Sequence, residues 1–136
     1  MKIIDGKNAV LGRLASYVAK EALKGEEIVI LNCDQVIITG NKKNIREEFE
    51  AKRRKIGSGQ KGPKHSRSTD KIVKRSIRGM LPNHRLGRGK IAYRKIKCYV
   101  GVPKEFQDSK KIIGGREKKS KFVYVKEISK RKEIIK

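Results

Sequence analysis

The sequence predicts an α/β fold, because strand, helix and strand patterns follow one another within its first 40 residues. Residues 28–31 (Ile-Val-Ile-Leu) and 36–39 (Val-Ile-Ile-Thr) are continuous apolar runs. Such runs are typical of strands that are covered on both faces, as in parallel sheets. Residues 2–5 predict an earlier strand. An amphipathic helix is predicted between this strand and the run at residues 28–31. This order predicts a right-handed crossover and a sheet with helices on both sides.

The first helix is predicted by apolar side chains at the spacing i, i+3, i+4, i+7, i+8, i+11 and i+12. These residues are Leu11, Leu14, Ala15, Val18, Ala19, Ala22 and Leu23. Because this spacing places them on one face, the helix has an apolar stripe for the core. Gly25 stands where a helix commonly ends.

The middle of the chain predicts two helices separated by a loop. Residues 42–56 have helical propensity and a thin apolar stripe. Residues 57–71 contain no Val, Ile, Leu, Met or Phe, so they bury little apolar area to offset their ordering entropy. We therefore expect a basic arm at about 57–71 that is mobile in the free protein. Residues 68–70 (Ser-Thr-Asp) then offer an N-cap for a helix that ends before Pro82.

The last third of the chain has weaker patterns. Residues 90–95 predict a short helix, and the alternation of residues 96–100 predicts a strand. Residues 104–120 are polar and predict a loop, whereas residues 122–125 have strand propensity and the tail from Lys126 predicts a frayed helix. We expect one domain over residues 1–136, with a polar C-terminal extension from about 104.

The charge is concentrated after the first forty residues. The chain has 37 Lys and Arg against 14 Asp and Glu, a formal net charge of +23. Residues 1–40 are balanced, with five basic and five acidic residues, whereas residues 41–97 carry 20 basic and 4 acidic residues. An excess of this size repels itself in the isolated protein, so it indicates a polyanionic partner.

Several classes of protein do not fit this composition. No apolar run approaches the roughly 20 residues of a membrane span, so we expect no membrane-spanning helix. The N-terminus has no apolar signal segment, so we expect no secretory signal. A membrane-surface binder would carry Trp or Phe on an apolar helix face, but the chain has no Trp and three Phe. Two cysteines and two separated histidines show no metal-ligand spacing, so we expect no metal and no cofactor. Nucleic acid is the favoured partner.

The same sequence favours RNA over DNA. It contains no helix-turn-helix, zinc-finger or basic-zipper signature. It also lacks the aromatic pair with which some RNA-binding modules stack single-stranded bases. A small core with long basic segments is typical of proteins that recognise the phosphates and shape of folded RNA.

The candidate RNA-binding residues are mostly cations. They either follow a predicted strand or belong to the strongly basic segment of residues 53–95. They are Arg13, Asn41, Lys42, Lys43, Arg53, Arg54, Lys55, Lys61, Lys64, His65, Arg67, Arg75, Arg78, Gly79, Arg85, Arg88, Lys90, Arg94 and Lys95. Gly79 is included because glycine inside a helix costs about 1 kcal/mol relative to alanine, and close approach of another backbone would explain it.

Two glycine turns allow alternative interpretations. The turn at residues 6–13 lies between strand and helix, where phosphates bind, but it is neither a P-loop nor a dinucleotide fingerprint. After Gly40, Lys42 and Lys43 fall in the first turn of a helix, which the helix dipole disfavours. A bound polyanion would remove this conflict, and an ordinary solvated helix start is the alternative. The sequence identifies no catalytic residues.

Three segments resemble the large-subunit ribosomal protein uL13 (L13) family. They are residues 77–82 (Ile-Arg-Gly-Met-Leu-Pro), the following residues 83–88 (Asn-His-Arg-Leu-Gly-Arg), and residues 97–101 (Lys-Cys-Tyr-Val-Gly). The opening Asp5-Gly6 and residues 11–16 are similar to the same family, and residues 61–65 resemble its archaeal and eukaryotic branch, with the short length favouring archaea.

The resemblance implies a three-layer α/β/α core around a four-stranded, mainly parallel sheet. It implies a structural role in the large ribosomal subunit without enzyme activity, with 23S-type rRNA and neighbouring ribosomal proteins as partners in the cytoplasm. Two alternatives stay open at this point. One is a free-standing RNA-binding translational regulator, and the other is a small nucleotide-binding α/β enzyme.

Overall fold

The computed structural model describes residues 1–55, 62, 64–116 and 120–129. Its elements in chain order are β1 (Lys2–Asp5), α1 (Leu11–Leu23), β2 (Ile28–Leu31), β3 (Ile37–Thr39), α2 (Lys42–Arg54), α3 (Thr69–Met80), α4 (Gly87–Arg94), β4 (Ile96–Cys98), β5 (Ile112–Ile113), β6 (Phe122–Tyr124) and α5 (Val125–Ser129). Short 3₁₀ turns cover Cys33–Gln35 and Lys104–Phe106.

The main sheet has the order β4-β2-β1-β5, and all of its strands are parallel. Ile3 pairs with Val29 in β2, and Ile28 pairs with Ile96 in β4. All four residues of β2 are buried, as expected for a central strand that is covered on both faces. The predicted α/β class with a four-stranded parallel sheet is confirmed.

The third predicted strand does not join this sheet, which corrects the expectation of a parallel strand at residues 36–39. β3 pairs antiparallel with β6, with Ile37 opposite Tyr124 and Thr39 opposite Phe122. Thr39 is exposed, so this strand is not covered on both faces. The reason is that an apolar run encodes strand propensity but not the direction of a partner far along the chain.

Part of the segment that the sequence predicted as a loop completes the main sheet. Ile112 pairs with Ile4, and Ile113 pairs with Asp5, which places β1 between β2 and β5. The connection beyond β5 packs tightly, since a Cβ added at Gly115 would lie 2.3 Å from the Asn8 carbonyl oxygen. A two-residue strand is too short to leave an alternating pattern, so the sequence did not reveal it.

Helices α1 and α3 contribute many of the buried side chains that form the core with the main sheet. The stripe predicted for α1 is confirmed except at its ends, because Leu11 is half-buried and Leu23 is exposed, whereas the other five residues are buried: Leu14, Ala15, Val18, Ala19 and Ala22. The helix predicted over residues 70–81 is observed as α3, whose Val73 and Ile77 side chains are fully buried. Beyond the family-like segments, Val123, Val125 and Ile128 from β6 and α5 are buried as well.

The two cysteines lie close together and carry no metal-like surroundings. A hydrogen bond with Cys98 and burial raise the pKa of the Cys33 thiol, so it stays protonated as a small hydrophobic group. In the described ranges, no three His, Cys, Asp or Glu side chains group as metal ligands would. Among those same residues, no helix combines the length and the apolarity that crossing a bilayer requires.

Candidate nucleic-acid interface

One arginine fastens the segment between α2 and α3. The Arg67 guanidinium donates to both carboxylate oxygens of Glu50, at 2.9 and 3.0 Å. The side chains are only 24% and 14% exposed, so this bidentate pair is partly shielded from water. The bond and the positive charge lower the pKa of the Glu50 carboxyl. Arg67, a predicted RNA ligand, therefore has a partner within the chain.

Two more predicted RNA ligands hold the same segment through its backbone. Arg53 donates to the carbonyl oxygen of His65, and Arg75 Nη1 donates to that of Lys64 at 3.2 Å. The described residues 64–68 have no helix or strand, but they are fastened to both neighbouring helices.

These contacts correct the expected basic arm at 57–71 in its described part. Residues 57–61 and 63, and with them Lys61, lie outside the described residues. Residues 69–71 belong to α3, and residues 64–68 are anchored instead of hanging free. The physical reason is that arginines from two helices supply contacts that the segment's own composition lacks.

Replacing Glu50 by Gln is expected to loosen this segment. The substitution keeps the size of the side chain but removes the charge that Arg67 pairs with, and a partly buried pair of this geometry contributes about 1–2 kcal/mol. Limited trypsin digestion of the free protein should then cleave after Lys64 and Arg67 faster than in the wild type. Glu47→Gln, an exposed position on the same helix, is the matched control. Equal cleavage of all three proteins would mean that the pair does not hold the segment.

Helix α3 carries a basic stripe beside its buried one. Lys71, Lys74, Arg75 and Arg78 follow the spacing i, i+3, i+4 and i+7, so they share one side of the helix. Burial and the neighbouring Arg78 charge lower the pKa of Arg75. Lys71 and Lys74 were not among the predicted ligands, although the same periodicity would have identified them. A polyanion bound along this stripe would relieve the repulsion between its members.

The turn between α3 and α4 is held rigid by a buried glycine. A Cβ added at Gly89 would lie 2.4 Å from the Pro82 carbonyl oxygen and 2.5 Å from that of Asn83. Asn83 Oδ1 also accepts the Arg85 backbone N–H at 3.0 Å. This packing explains why position 89 is a glycine. Helix α4 begins at Gly87 and not at the predicted residue 90, because the low helical propensity of Gly87 and Gly89 hides its first turn in the sequence.

The turn and helix α4 together present cations to solvent. Arg85, Arg88, Lys90 and Arg94 are exposed, and none of them pairs with a carboxylate in the part of the chain that the structure describes. At Gly79 an added Cβ would meet no described atom within 4 Å. Packing within the described chain therefore does not require this glycine.

The remaining predicted ligands do not gather into one patch. Arg13 lies exposed in the first turn of α1, beyond the carboxyl end of β1. Lys95 lies at the opposite end of the sheet, just before the start of β4. Its Nζ donates to the Gly25 carbonyl oxygen at 3.1 Å. Arg54 and Lys55 are exposed at the end of α2.

The lysines at the start of α2 are partly accommodated within the chain. Asn41 caps the helix by accepting the Lys43 backbone N–H at 3.0 Å. Lys42 Nζ lies 3.5 Å from a Glu127 carboxylate oxygen in α5. This acid offsets part of the conflict with the helix dipole, so a bound polyanion is not needed to explain Lys42. Lys43 is exposed.

Comparison with known proteins gives consistent matches. The Ribosomal protein L13 family profile matches residues 1–105. The large ribosomal subunit protein uL13 of Methanocaldococcus jannaschii is 42% identical over 133 residues, covering 96% of each chain. The protein of the same name from Methanococcus maripaludis is 51% identical over 106 residues, covering 76% of this chain and 77% of its own. That of Thermoplasma volcanium is 46% identical over 110 residues, covering 81% and 79% respectively.

Together, the parallel α/β sheet, the basic stripe of α3 and the exposed cations of α4 define a class of small basic proteins suited to a polyanionic partner. The chain belongs to the ribosomal protein L13 family. The resemblance carried by residues 77–88 and 97–101 is thereby confirmed.

Proposed function

We propose that this protein is a structural constituent of the large ribosomal subunit that binds and stabilises folded large-subunit rRNA. The observation that carries the proposal is family membership, since the family profile covers residues 1–105 and relatives named large ribosomal subunit protein uL13 align over most of the chain. The partly buried basic stripe of α3 and the exposed cations of α4 support it, because they are suited to rRNA phosphates. Its partners are 23S-type rRNA and neighbouring large-subunit proteins, and its place is the cytoplasmic ribosome.

The role we propose is structural and not enzymatic. The turn at residues 6–13 was the strongest candidate for a nucleotide site, but its first glycine has a packing explanation. A Cβ added at Gly6 would lie 2.8 Å from the Leu31 carbonyl oxygen, and Gly6 N–H donates to that same oxygen. This glycine is therefore needed for close contact between the turn and β2.

Co-sedimentation with the large ribosomal subunit tests this function against that of a free-standing regulator. An assembled constituent should stay with large subunits through a high-salt wash and leave them when the rRNA is digested. In an assembled subunit these contacts would be buried between protein and rRNA, where salt screens them much less than it screens contacts of a protein bound at an RNA surface. A protein that is released by salt and recovered with other RNAs would be a regulator, and the proposal would fail.

A further inference from the structure

A groove runs between α2 and α3, beside the basic stripe. Its volume is about 670 Å³, within the roughly 300–1,000 Å³ of pockets that hold small-molecule ligands. The apolar part of its lining comes from six elements, and its members are Leu11, Ile38, Ile45, Phe49, Ile72, Tyr93 and Ile128. The groove is not predictable from the sequence, because Phe49 and Tyr93 are distant along the chain and line the same groove only in the fold.

The apolar stripe of α2 is left half-covered in this groove. Ile45 and Phe49 lie one helical turn apart and both line it, yet neither is fully buried, and α2 has no buried residue. A surface helix normally packs its apolar stripe against the core. Within the described residues, this stripe instead faces an open groove.

The charged part of the lining is almost entirely basic. It contains the acid Glu48 and the cations Lys52, Lys64, Lys71, Lys74, Arg75 and Arg78. None of these cations forms an ion pair within the described part of the chain. A basic or neutral peptide would leave this charge uncompensated, whereas a polyanion would neutralise it.

Three flat rings accompany the cations. Phe49, Tyr93 and His65 all line the groove, and Lys74 Nζ lies 4.8 Å from the centroid of the Tyr93 ring. Burial and the charges of Arg75 and Lys52 lower the pKa of His65, so its neutral imidazole offers one donor and one acceptor. Rings flanked by cations are the combination with which proteins bind the bases and phosphates of unpaired RNA.

We propose that this groove binds an unstacked RNA base, such as a bulged or looped-out nucleotide of the rRNA. The base lies against Phe49 and Tyr93, and its flanking phosphates contact the basic stripe of α3. This inference rests on the proposed function and adds to it: the protein reads unpaired structure in its RNA as well as phosphates.

The test compares two single-stranded probes of equal length and charge. One is a ten-nucleotide uridine oligoribonucleotide, and the other is the same ribose-phosphate backbone without bases. At equal salt, the full-length protein should bind the base-bearing probe about tenfold more tightly, as expected for base–aromatic stacking. Replacing the fifth uridine by 4-thiouridine should place a photo-crosslink on residues 45–52 or on Tyr93.

Variants locate the preference in the groove. Phe49→Ala should reduce the preference to less than about threefold, and Tyr93→Leu, which keeps most of the volume, should act in the same direction if the first variant folds poorly. Tyr17→Ala removes a 40% exposed aromatic side chain that does not line the groove, and it should keep the preference. Circular dichroism checks that each variant is folded.

The outcomes separate this inference from the proposed function. Equal affinity for both probes, with both weakened by salt, would overturn the base site while leaving rRNA binding intact. A crosslink that maps outside the groove would also overturn it. A poly-glutamate peptide that displaces the RNA from the wild type, but binds Phe49→Ala weakly, would assign the groove to an acidic protein segment and overturn the proposal.

Discussion

Replacing Arg88 by glutamate should weaken binding to large-subunit rRNA by about tenfold to a hundredfold. Arg88 is exposed on α4 beside the rigid turn, and it has no ion-pair partner among the described residues. A charge-assisted bond to phosphate contributes roughly 1.5–3 kcal/mol, and the reversed charge adds repulsion. Arg78→Glu should have a similar effect, because Arg78 belongs to the basic stripe at the other side of the same turn.

The measurement is a titration of each variant with an rRNA fragment over a range of salt concentrations. With about ten phosphate contacts, the wild-type log–log salt slope should be roughly −7 to −9, and each arginine variant should lower its magnitude by about one. Lys20→Glu is the control, since Lys20 is exposed on α1 in the charge-balanced part of the chain. Equal losses in all three variants would mean that the charge acts diffusely and that no localised interface exists.

Replacing Gly89 by alanine should destabilise the protein by about 2–3 kcal/mol. The added Cβ would overlap the carbonyl oxygens of Pro82 and Asn83, which are backbone atoms that cannot rotate away. Overpacking of this kind typically costs 1–3 kcal/mol, which corresponds to a fall in Tm of roughly 10 °C for a chain of this size. Thermal unfolding followed by circular dichroism measures it.

Gly79→Ala is the matched control for that substitution. An added Cβ there meets no described atom within 4 Å, so the free protein should keep its Tm or gain up to about 1 kcal/mol of stability from better helical propensity. If RNA approaches this glycine closely, the same variant should bind rRNA more weakly while being no less stable. A lower Tm for Gly79→Ala than for Gly89→Ala would contradict the packing on which both expectations depend.

The sequence predicted the elements whose signal is local. The apolar stripe of α1 lies within a single helix and the apolar run of β2 within a single strand, and both elements have the predicted bounds. β5 and the antiparallel partner of β3 escaped prediction because pairing with a distant strand, and not their own composition, makes them strands.

The candidate site was likewise predictable only where its signal is local in the sequence. Charge density alone pointed to Arg85 and Arg88, which the structure leaves exposed. It could not show that Arg67 is paired with Glu50 or that Lys95 reaches the Gly25 carbonyl, since these partners are distant in sequence. Counting cations therefore overstates how many are free to meet RNA.

The central position of β1 has a consequence for how the chain is made. β1 is synthesised first, but its pairing with β5 waits until residue 112 has emerged, which at about 5–20 residues per second takes on the order of 5–20 s. Over that interval one edge of β1 has unpaired backbone groups, and open strand edges invite aggregation. A chain broken off before that point cannot close its sheet. A fragment that ends before β5 therefore keeps this edge open, and we expect it to be exposed to proteases and chaperones.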